Sequence, residues 1–127
     1  MPATVLLVED HATMREAVGQ ILAGEGYDVT EVADGVAALA VIGVRAPDLV
    51  VLDLHMPVMD GAEVLRTLRS DPVTANLPVI VVTADGEEGR GPAARLGADG
   101  YVTKPFDPIA LLLMVEQVLA SAGPRAT

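Results

Sequence analysis

The fold of this chain is decided by the stretch Val50-Val51-Leu52-Asp53-Leu54-His55-Met56-Pro57. Its apolar residues lead to one carboxylate, and a proline follows shortly afterwards. A continuous apolar run is typical of a strand covered on both faces in a parallel sheet. Asp53 is therefore predicted at the carboxyl end of a buried strand, where open α/β sheets place their ligands. A lone aspartate can also be a helix cap or a turn residue, but the rest of the chain argues against that reading.

The composition of the 127 residues predicts one domain with its own core and excludes several classes of protein. Because cysteine is absent, disulfides, thiol chemistry and cysteine-based metal sites are excluded. The longest apolar runs, such as residues 109–115, are too short to span a bilayer. No basic segment of the secretory type precedes the first apolar run. We therefore expect a cytoplasmic location and no membrane partner.

The charge balance is strongly acidic, with a net charge of −10 from 18 acidic and 8 basic residues. This field disfavours nucleic acid, because phosphate contacts need clustered lysine and arginine. Two tyrosines and one phenylalanine do not make a stacking platform for bases. The negative net charge is instead compatible with the binding of divalent cations. Lys104 is the sole lysine, which is a weak indication that its position needs an ammonium rather than a guanidinium.

Five apolar segments alternate with helical patterns along the chain. The predicted strands are residues 4–8, 27–33, 48–53, 78–82 and 100–105. Alternating units of this size are typical of a parallel sheet with helices on both faces. Right-handed crossovers then place the carboxyl ends of all strands at one end of the sheet. The sequence thus predicts a doubly wound α/β fold with a five-stranded parallel sheet.

Capping residues predict where several of the helices begin. Thr13 and Glu16 are spaced as a capping box for the first helix. The second helix is predicted over residues 36–45, after an Asp-Gly turn. Asp60 and Asp107 are the expected caps of the third and last helices, because aspartate accepts hydrogen bonds from the free N–H groups of a first turn.

Polar side chains stand at the carboxyl ends of four predicted strands: Glu9, Asp10, Asp53, Thr83 and Lys104. Three carboxylates at one end of a sheet repel one another unless a cation lies among them, and oxygen ligands suit Mg²⁺ better than zinc. A hydroxyl and an ammonium opposite the metal complete a site for a tetrahedral oxyanion. Phosphoryl transfer needs such positioning and charge neutralisation, and aspartate can accept a phosphoryl group covalently. The pattern therefore indicates phosphorylation of Asp53.

Four motifs resemble the receiver domain of two-component response regulators, the CheY-like fold: Glu9-Asp10, Asp53-Leu54-His55-Met56-Pro57 with Asp60-Gly61, Thr83-Ala84, and Tyr101-Val102-Thr103-Lys104-Pro105-Phe106. The resemblance covers about residues 4–122. It implies a flavodoxin-like sheet of strand order 2-1-3-4-5. It also implies a receiver domain over residues 1–122, with residues 123–127 as a C-terminal tail or the start of a linker. A stand-alone receiver and a part of a longer regulator both remain open.

The resemblance also implies a role for each acidic residue. Asp53 would accept the phosphoryl group from a phosphohistidine of a sensor histidine kinase or phosphotransfer protein. Asp10 and Asp53 would bind Mg²⁺ directly and Glu9 would bind it through water. The backbone carbonyl of His55 would supply a further ligand. The protein would then catalyse only its own phosphorylation and slow dephosphorylation.

The remaining motif residues would hold the phosphoryl group and report its presence. Lys104 would pair with one phosphoryl oxygen and Thr83 would donate a hydrogen bond to another. Tyr101 resembles the switch aromatic of the family, which turns inward when Thr83 moves toward the phosphate. The side chains of His55 and Asp85 would flank the attacking water and so tune the rate of dephosphorylation.

The resemblance places the output surface on helix four, strand five and helix five, which would contact a downstream partner or output domain. Helix five is apolar over more than one face at residues 111–115, so a homodimer through this surface is conceivable. Helix four departs from the usual pattern, because glycines and a proline occur in residues 86–92. Each glycine costs a helix about 1 kcal/mol and an interior proline about 3 kcal/mol. We predict a short helix that begins near Pro92 and a mobile signalling face that orders on phosphorylation or partner binding.

Three other readings stay open. A phosphatase of the haloacid dehalogenase type also uses an aspartate at a strand end, but it needs a second aspartate two residues later, where this chain has His55. A flavin-binding flavodoxin-like protein needs a phosphate loop after the first strand, where this chain has Glu9-Asp10. A degenerate receiver, acting as a binding adaptor, is the least supported because the set of site residues is complete.

Overall fold

Strands and helices alternate throughout residues 2–122, which are the residues that the computed structural model describes. The expected tail, residues 123–127, lies outside this range. The strands are β1 (Thr4–Val8), β2 (Asp28–Val32), β3 (Leu49–Asp53), β4 (Val79–Thr83) and β5 (Gly100–Thr103). The helices are α1 (Ala12–Gly24), α2 (Gly35–Val44), α3 (Gly61–Ser70), α4 (Arg90–Arg95) and α5 (Pro108–Ala122).

The strands form one parallel sheet in the order β2-β1-β3-β4-β5, which confirms the predicted topology. The register aligns the carboxyl ends of the strands. Asp53 lies opposite Val82, and Thr83 lies opposite Thr103. The residues that follow β1, β3, β4 and β5 therefore meet at one end of the sheet.

Helices cover both faces of the sheet, so every residue of β3 and β4 is buried. One core contains residues of α2, α3 and α4, and the other contains residues of α1 and α5. Strand β2 lies at the edge of the sheet and keeps exposed positions. Burial on both faces explains why β3 and β4 are continuous apolar runs rather than alternating ones.

The predicted capping box of α1 is wrong. A cap at Thr13 would make Met14 the first residue of the helix. The helix instead begins at Ala12, two residues earlier, and no side chain caps it. The amide of Arg15 donates to the carbonyl of His11 at 2.9 Å, so Thr13 already lies in the first turn. Glu9 explains the early start, because its carboxylate accepts a hydrogen bond from the His11 N–H at 3.3 Å and holds the connection short.

The caps of α3 and α5 are confirmed. Asp60 Oδ1 accepts a hydrogen bond from the Glu63 N–H at 2.9 Å. Asp107 Oδ1 accepts one from the Ile109 N–H at 2.8 Å. In both helices the aspartate carboxylate satisfies a free amide of the first turn, which is the reason for its preference at this position.

Helix α4 is short, as predicted, but it begins at Arg90 rather than near Pro92. A turn of 3-10 helix over Glu87–Gly89 leads into it, after Gly86 with a φ of +66°. Pro92 lies in the first turn of α4, where its missing N–H costs no helical hydrogen bond. The proline therefore does not delay the start of the helix.

Helix α5 buries one side and exposes another. Leu111, Val115 and Val118 are buried in the core, whereas Ile109 and Leu113 are 66% and 59% exposed. This confirms that α5 carries more apolar surface than the sheet covers. None of the helices over residues 2–122 is long and apolar enough to cross a membrane.

Candidate functional site

Asp53 is the last residue of β3 and is only 5% exposed. Its Oδ1 accepts a hydrogen bond from the His55 N–H at 3.1 Å. Gly61, the first residue of α3, packs directly on this strand end, because a Cβ at that position would lie 2.3 Å from the Asp53 carbonyl oxygen. The glycine thus lets α3 approach closely enough to enclose the carboxylate.

The loop after β1 brings further carboxylates to Asp53. One ligand atom from each of Glu9, Asp10, His11 and Asp53 lies within 4.8 Å of the others. Glu9 is 4% exposed, and Asp10 Oδ1 is buried without a hydrogen-bond partner. The sequence analysis does not place His11 among the site residues, although its position directly after the acidic pair was the available signal.

Lys104 lies between two of these carboxylates. Its Nζ is 2.6 Å from Glu9 Oε1 and 3.3 Å from Asp53 Oδ2. The backbone of β5 and β4 positions it, since the Lys104 N–H donates to the Thr83 carbonyl at 2.8 Å. The Lys104–Pro105 peptide bond is cis.

Glu9, Asp53 and Lys104 each shift the pKa values of the other two. Burial and the neighbouring Glu9 carboxylate raise the pKa of Asp53 to about 6, against the effects of the His55 N–H and the Lys104 charge. Burial also acts to raise the pKa of Glu9, but hydrogen bonds with Lys104 and Asp53 leave that pKa below its usual value. Burial acts to lower the pKa of Lys104, but the two carboxylates leave that pKa above its usual value. Of Glu9 and Asp53, Asp53 is therefore the carboxyl group whose ionised form gains more from a further cation.

The donor set fits Mg²⁺. Three carboxylates stand close together, one of their oxygens is buried without a hydrogen-bond partner, and only one lysine compensates them. Mg²⁺ prefers oxygen ligands and retains several waters, so a few carboxylates at a partly open site suffice. The predicted ligands Glu9, Asp10 and Asp53 are thus brought together, and the His55 backbone lies beside them.

Thr83 and Tyr101, the predicted switch residues, are both buried, at 0% and 5% exposure. Thr83 is the last residue of β4, and its Oγ1 accepts a weak hydrogen bond from the Asp85 N–H at 3.4 Å. The Tyr101 hydroxyl donates to the carbonyl of Gly86 at 2.5 Å. The Arg90 guanidinium lies 5.0 Å from the centre of the Tyr101 ring. The aromatic side chain thus points inward and is held by the segment that precedes α4.

Burial, with the negative charges of Asp85 and Glu87, raises the pKa of Tyr101, although Arg90 acts in the opposite direction. The phenol therefore stays neutral and remains able to donate its hydrogen bond to the loop. This contact ties β5 to the loop between β4 and α4.

The two residues expected to tune dephosphorylation are joined to each other. His55 Nε2 lies 2.7 Å from Asp85 Oδ1, and their side chains are 65% and 40% exposed. They come from the loops after β3 and β4, so the pair bridges these loops on the solvent side of Asp53. The sequence did not predict this contact.

Residues 5–116 match the family model described as the response regulator receiver domain. The chain belongs to this family. Receiver domains are signalling switches rather than conventional enzymes, and the fold and acidic pocket described above agree with the family resemblance that the motifs indicate. The match leaves the roles of the individual site residues as predictions.

Curated relatives of this receiver are regulators of about twice its length. The phosphate regulon transcriptional regulatory protein PhoB of Pseudomonas aeruginosa is 40% identical over 122 residues, which are 95% of this chain and 53% of that protein. The sensory transduction protein RegX3 of Mycobacterium tuberculosis is 40% identical over 121 residues, 94% of this chain and 52% of that protein. The chain thus spans about half the length of the curated relatives it matches.

Solved receivers share the fold over nearly their whole length. The receiver domain of the Francisella response regulator 1452 has a TM-score of 0.87 and 31% identity, covering 94% of this chain and 98% of that one. The chemotaxis protein CheY4 of Vibrio cholerae has a TM-score of 0.86 and 33% identity, covering 93% of this chain and 99% of that one.

Proposed function

We propose that this receiver accepts a phosphoryl group on Asp53 from the phosphohistidine of a sensor histidine kinase or phosphotransfer protein. The observation that carries the proposal is the position of Asp53, buried at the end of β3 beside an acidic pair and Lys104. A carboxylate oxygen of Asp53 attacks phosphorus, the bond from phosphorus to the imidazole nitrogen breaks, and the imidazole leaves with that electron pair. The product is an aspartyl phosphate.

Asp10 and Asp53 would hold Mg²⁺ directly, Glu9 through water, and the His55 carbonyl would complete the protein ligands. Bound Mg²⁺ supplies charge neutralisation for the carboxylates and for the phosphoryl oxygens. Lys104, which contacts Glu9 and Asp53 in this structure, pairs with one phosphoryl oxygen. Thr83 donates its hydroxyl hydrogen to another.

Phosphorylation changes the surface formed by α4, β5 and α5. Movement of Thr83 toward the phosphoryl group alters the packing of Tyr101, whose hydroxyl holds the loop before α4. A cavity of about 610 Å³ lies on this surface, and Arg90, Tyr101 and Met114 are among its lining residues. This surface controls a downstream protein partner or an output domain, and a homodimer can form through it.

We also propose the domain bounds and the location of this receiver, as the family resemblance implies them. Residues 1–122 would form the receiver, and residues 123–127 a tail or the start of a linker. It would work in the cytoplasm beside its kinase, with no direct contact to nucleic acid or membrane. The phosphoryl group would hydrolyse slowly at a rate set by His55 and Asp85, which bridge the loops beside Asp53.

The test is intact mass after incubation with Mg²⁺ and a small phosphodonor, with Asp53→Asn as the matched variant. We expect one added phosphoryl group on the wild type, none without Mg²⁺ and none on the variant. If no adduct forms, binding of beryllium fluoride, a stable phosphoryl mimic, separates fast hydrolysis from a true failure. A wild type that binds neither would overturn the proposal, and steady turnover of a phosphate ester would favour the phosphatase alternative.

A further inference from the structure

His11 occupies a position that its side chain does not use for the helix. It is the N-cap residue of α1, where serine, threonine, aspartate and asparagine are preferred, yet it makes no side-chain capping bond. Its imidazole is 76% exposed on the solvent side. The ring instead lies beside the acidic pair, with Nδ1 3.4 Å from Asp10 Oδ1 and 3.6 Å from Glu9 Oε2.

The neighbouring Asp10 oxygen indicates a metal-binding role for the imidazole. Asp10 Oδ1 is buried and forms no hydrogen bond, although the His11 nitrogen is only 3.4 Å away. Cis ligands of an octahedral ion with bonds of about 2.1 Å are separated by about 3 Å. The distance from His11 Nδ1 to Asp10 Oδ1, a proposed direct ligand, exceeds that spacing by only about half an ångström. The imidazole and the Asp10 carboxylate are thus spaced like neighbouring ligands of one ion.

We propose that His11 supplies a nitrogen ligand to the ion at this site, which therefore favours Mn²⁺ and the later first-row divalent metals more than three carboxylates alone would. Mg²⁺ gains little from an imidazole, because it prefers oxygen, whereas affinity for a site with a nitrogen ligand rises from Mn²⁺ to Cu²⁺ and falls again at Zn²⁺. The inference rests on the proposed function, since the ion is the one that neutralises the phosphoryl group.

Pulsed electron paramagnetic resonance of bound Mn²⁺ tests the ligand directly in tag-free protein and imidazole-free buffer. Wild type should show modulation from a directly bound imidazole nitrogen, and His11→Gln should lose it. Since the chain has two histidines, His55→Gln is the matched control and should retain the modulation. His11→Gln should also weaken Mn²⁺ binding by about 10-fold, in the range that loss of a supporting ligand interaction costs, and change the Mg²⁺ dissociation constant by less than about 2-fold.

Two outcomes overturn this inference alone. One is wild-type protein that binds Mn²⁺ without nitrogen modulation. The other is a His11→Gln variant that weakens Mn²⁺ and Mg²⁺ equally, which would indicate a change of charge or packing rather than a lost ligand. Either result leaves Asp53 phosphorylation intact in the mass measurement. If the wild type binds neither metal and forms no adduct, the proposed function fails as well.

Discussion

Lys104 donates a hydrogen bond of 2.6 Å to Glu9, a residue 95 positions earlier in the chain. In this structure the lysine is therefore the counter-ion of the acidic pocket, although the family role expected for it is contact with a phosphoryl oxygen. The two roles are compatible, because a divalent cation at the carboxylates would compensate Glu9 and free the ammonium. Lys104 thus neutralises the carboxylates in this structure, and a bound metal would neutralise the same negative charges in its place.

Lys104→Met should destabilise the metal-free protein, because Glu9 and Asp53 then face each other without a cation. We expect the free energy of unfolding to fall by roughly 2–4 kcal/mol at pH 8 in a chelator. Urea denaturation measures this loss, and Mg²⁺ should restore part of it. Lys104→Arg, which keeps the charge, should lose much less. Equal losses for both variants would show that packing rather than charge is responsible.

Asp53→Asn should stabilise the metal-free protein at high pH. The pKa of Asp53 is raised to about 6 in the folded protein, against about 4 for an unfolded aspartate. Its contribution to stability is therefore present below pH 4 and is lost as the pH rises through about 6.

At pH 8 without Mg²⁺, we expect the free energy of unfolding of Asp53→Asn to exceed that of the wild type by up to about 3 kcal/mol. This difference should shrink toward pH 4. Urea denaturation at several pH values measures it. Asp28→Asn removes the same charge from an exposed strand residue and serves as the control. A pH-independent difference, or an equal gain in the control, would contradict the assignment to Asp53.

Gly89→Ala should release Tyr101 from its inward position. A Cβ at residue 89 would lie 2.3 Å from the Tyr101 hydroxyl oxygen, whereas one at Gly91 would meet only the flexible Arg95 side chain at 3.4 Å. Gly91→Ala is thus a matched control in the same short helical segment. Tyrosine ring NMR should show the Tyr101 pKa falling toward its ordinary value in Gly89→Ala, while Tyr27 stays unchanged. A Tyr101 that titrates alike in both variants would exclude this steric role for Gly89.

His55 and Asp85 should affect dephosphorylation as a pair. Their hydrogen bond of 2.7 Å joins two loops beside Asp53, so removing either partner releases the other. We expect His55→Ala and Asp85→Ala each to change the half-life of the aspartyl phosphate by roughly 2- to 5-fold, and the double variant to change it by less than the product. Loss of phosphate followed by mass spectrometry measures all four proteins. Independent effects that multiply would show that the contact has no kinetic role.

The parts of the fold that could be predicted are those set by local pattern. The apolar runs that end at Asp53 and Thr83 identify buried strands, and the caps Asp60 and Asp107 identify two helix starts. The start of α1 was missed because the Glu9 carboxylate accepts a hydrogen bond from the His11 N–H two residues later, a local contact that the capping-box pattern does not include.

The internal contacts of the site could not be predicted, because they join residues that are distant in sequence. Motifs place Glu9 and Lys104 at strand ends, but only the folded chain shows that the two form a hydrogen bond. The same holds for Arg69, which donates to the carbonyls of Leu77 and Gly97 and pairs with Asp99. No local pattern marks this arginine, which joins α3 to the loops that precede β4 and β5.

The carboxyl end of the sheet receives site residues from β1, β3, β4 and β5, and the contacts of Lys104 span 95 residues to Glu9 and 51 to Asp53. Four strands must therefore pair in the right order before the pocket exists. A fragment without the last strand would contain Asp53 and the acidic pair but would lack Lys104, the counter-ion of the pocket. Phosphorylation at the proposed acceptor Asp53 can accordingly serve as a selection for intact folding in libraries of variants, including substitutions far from that residue.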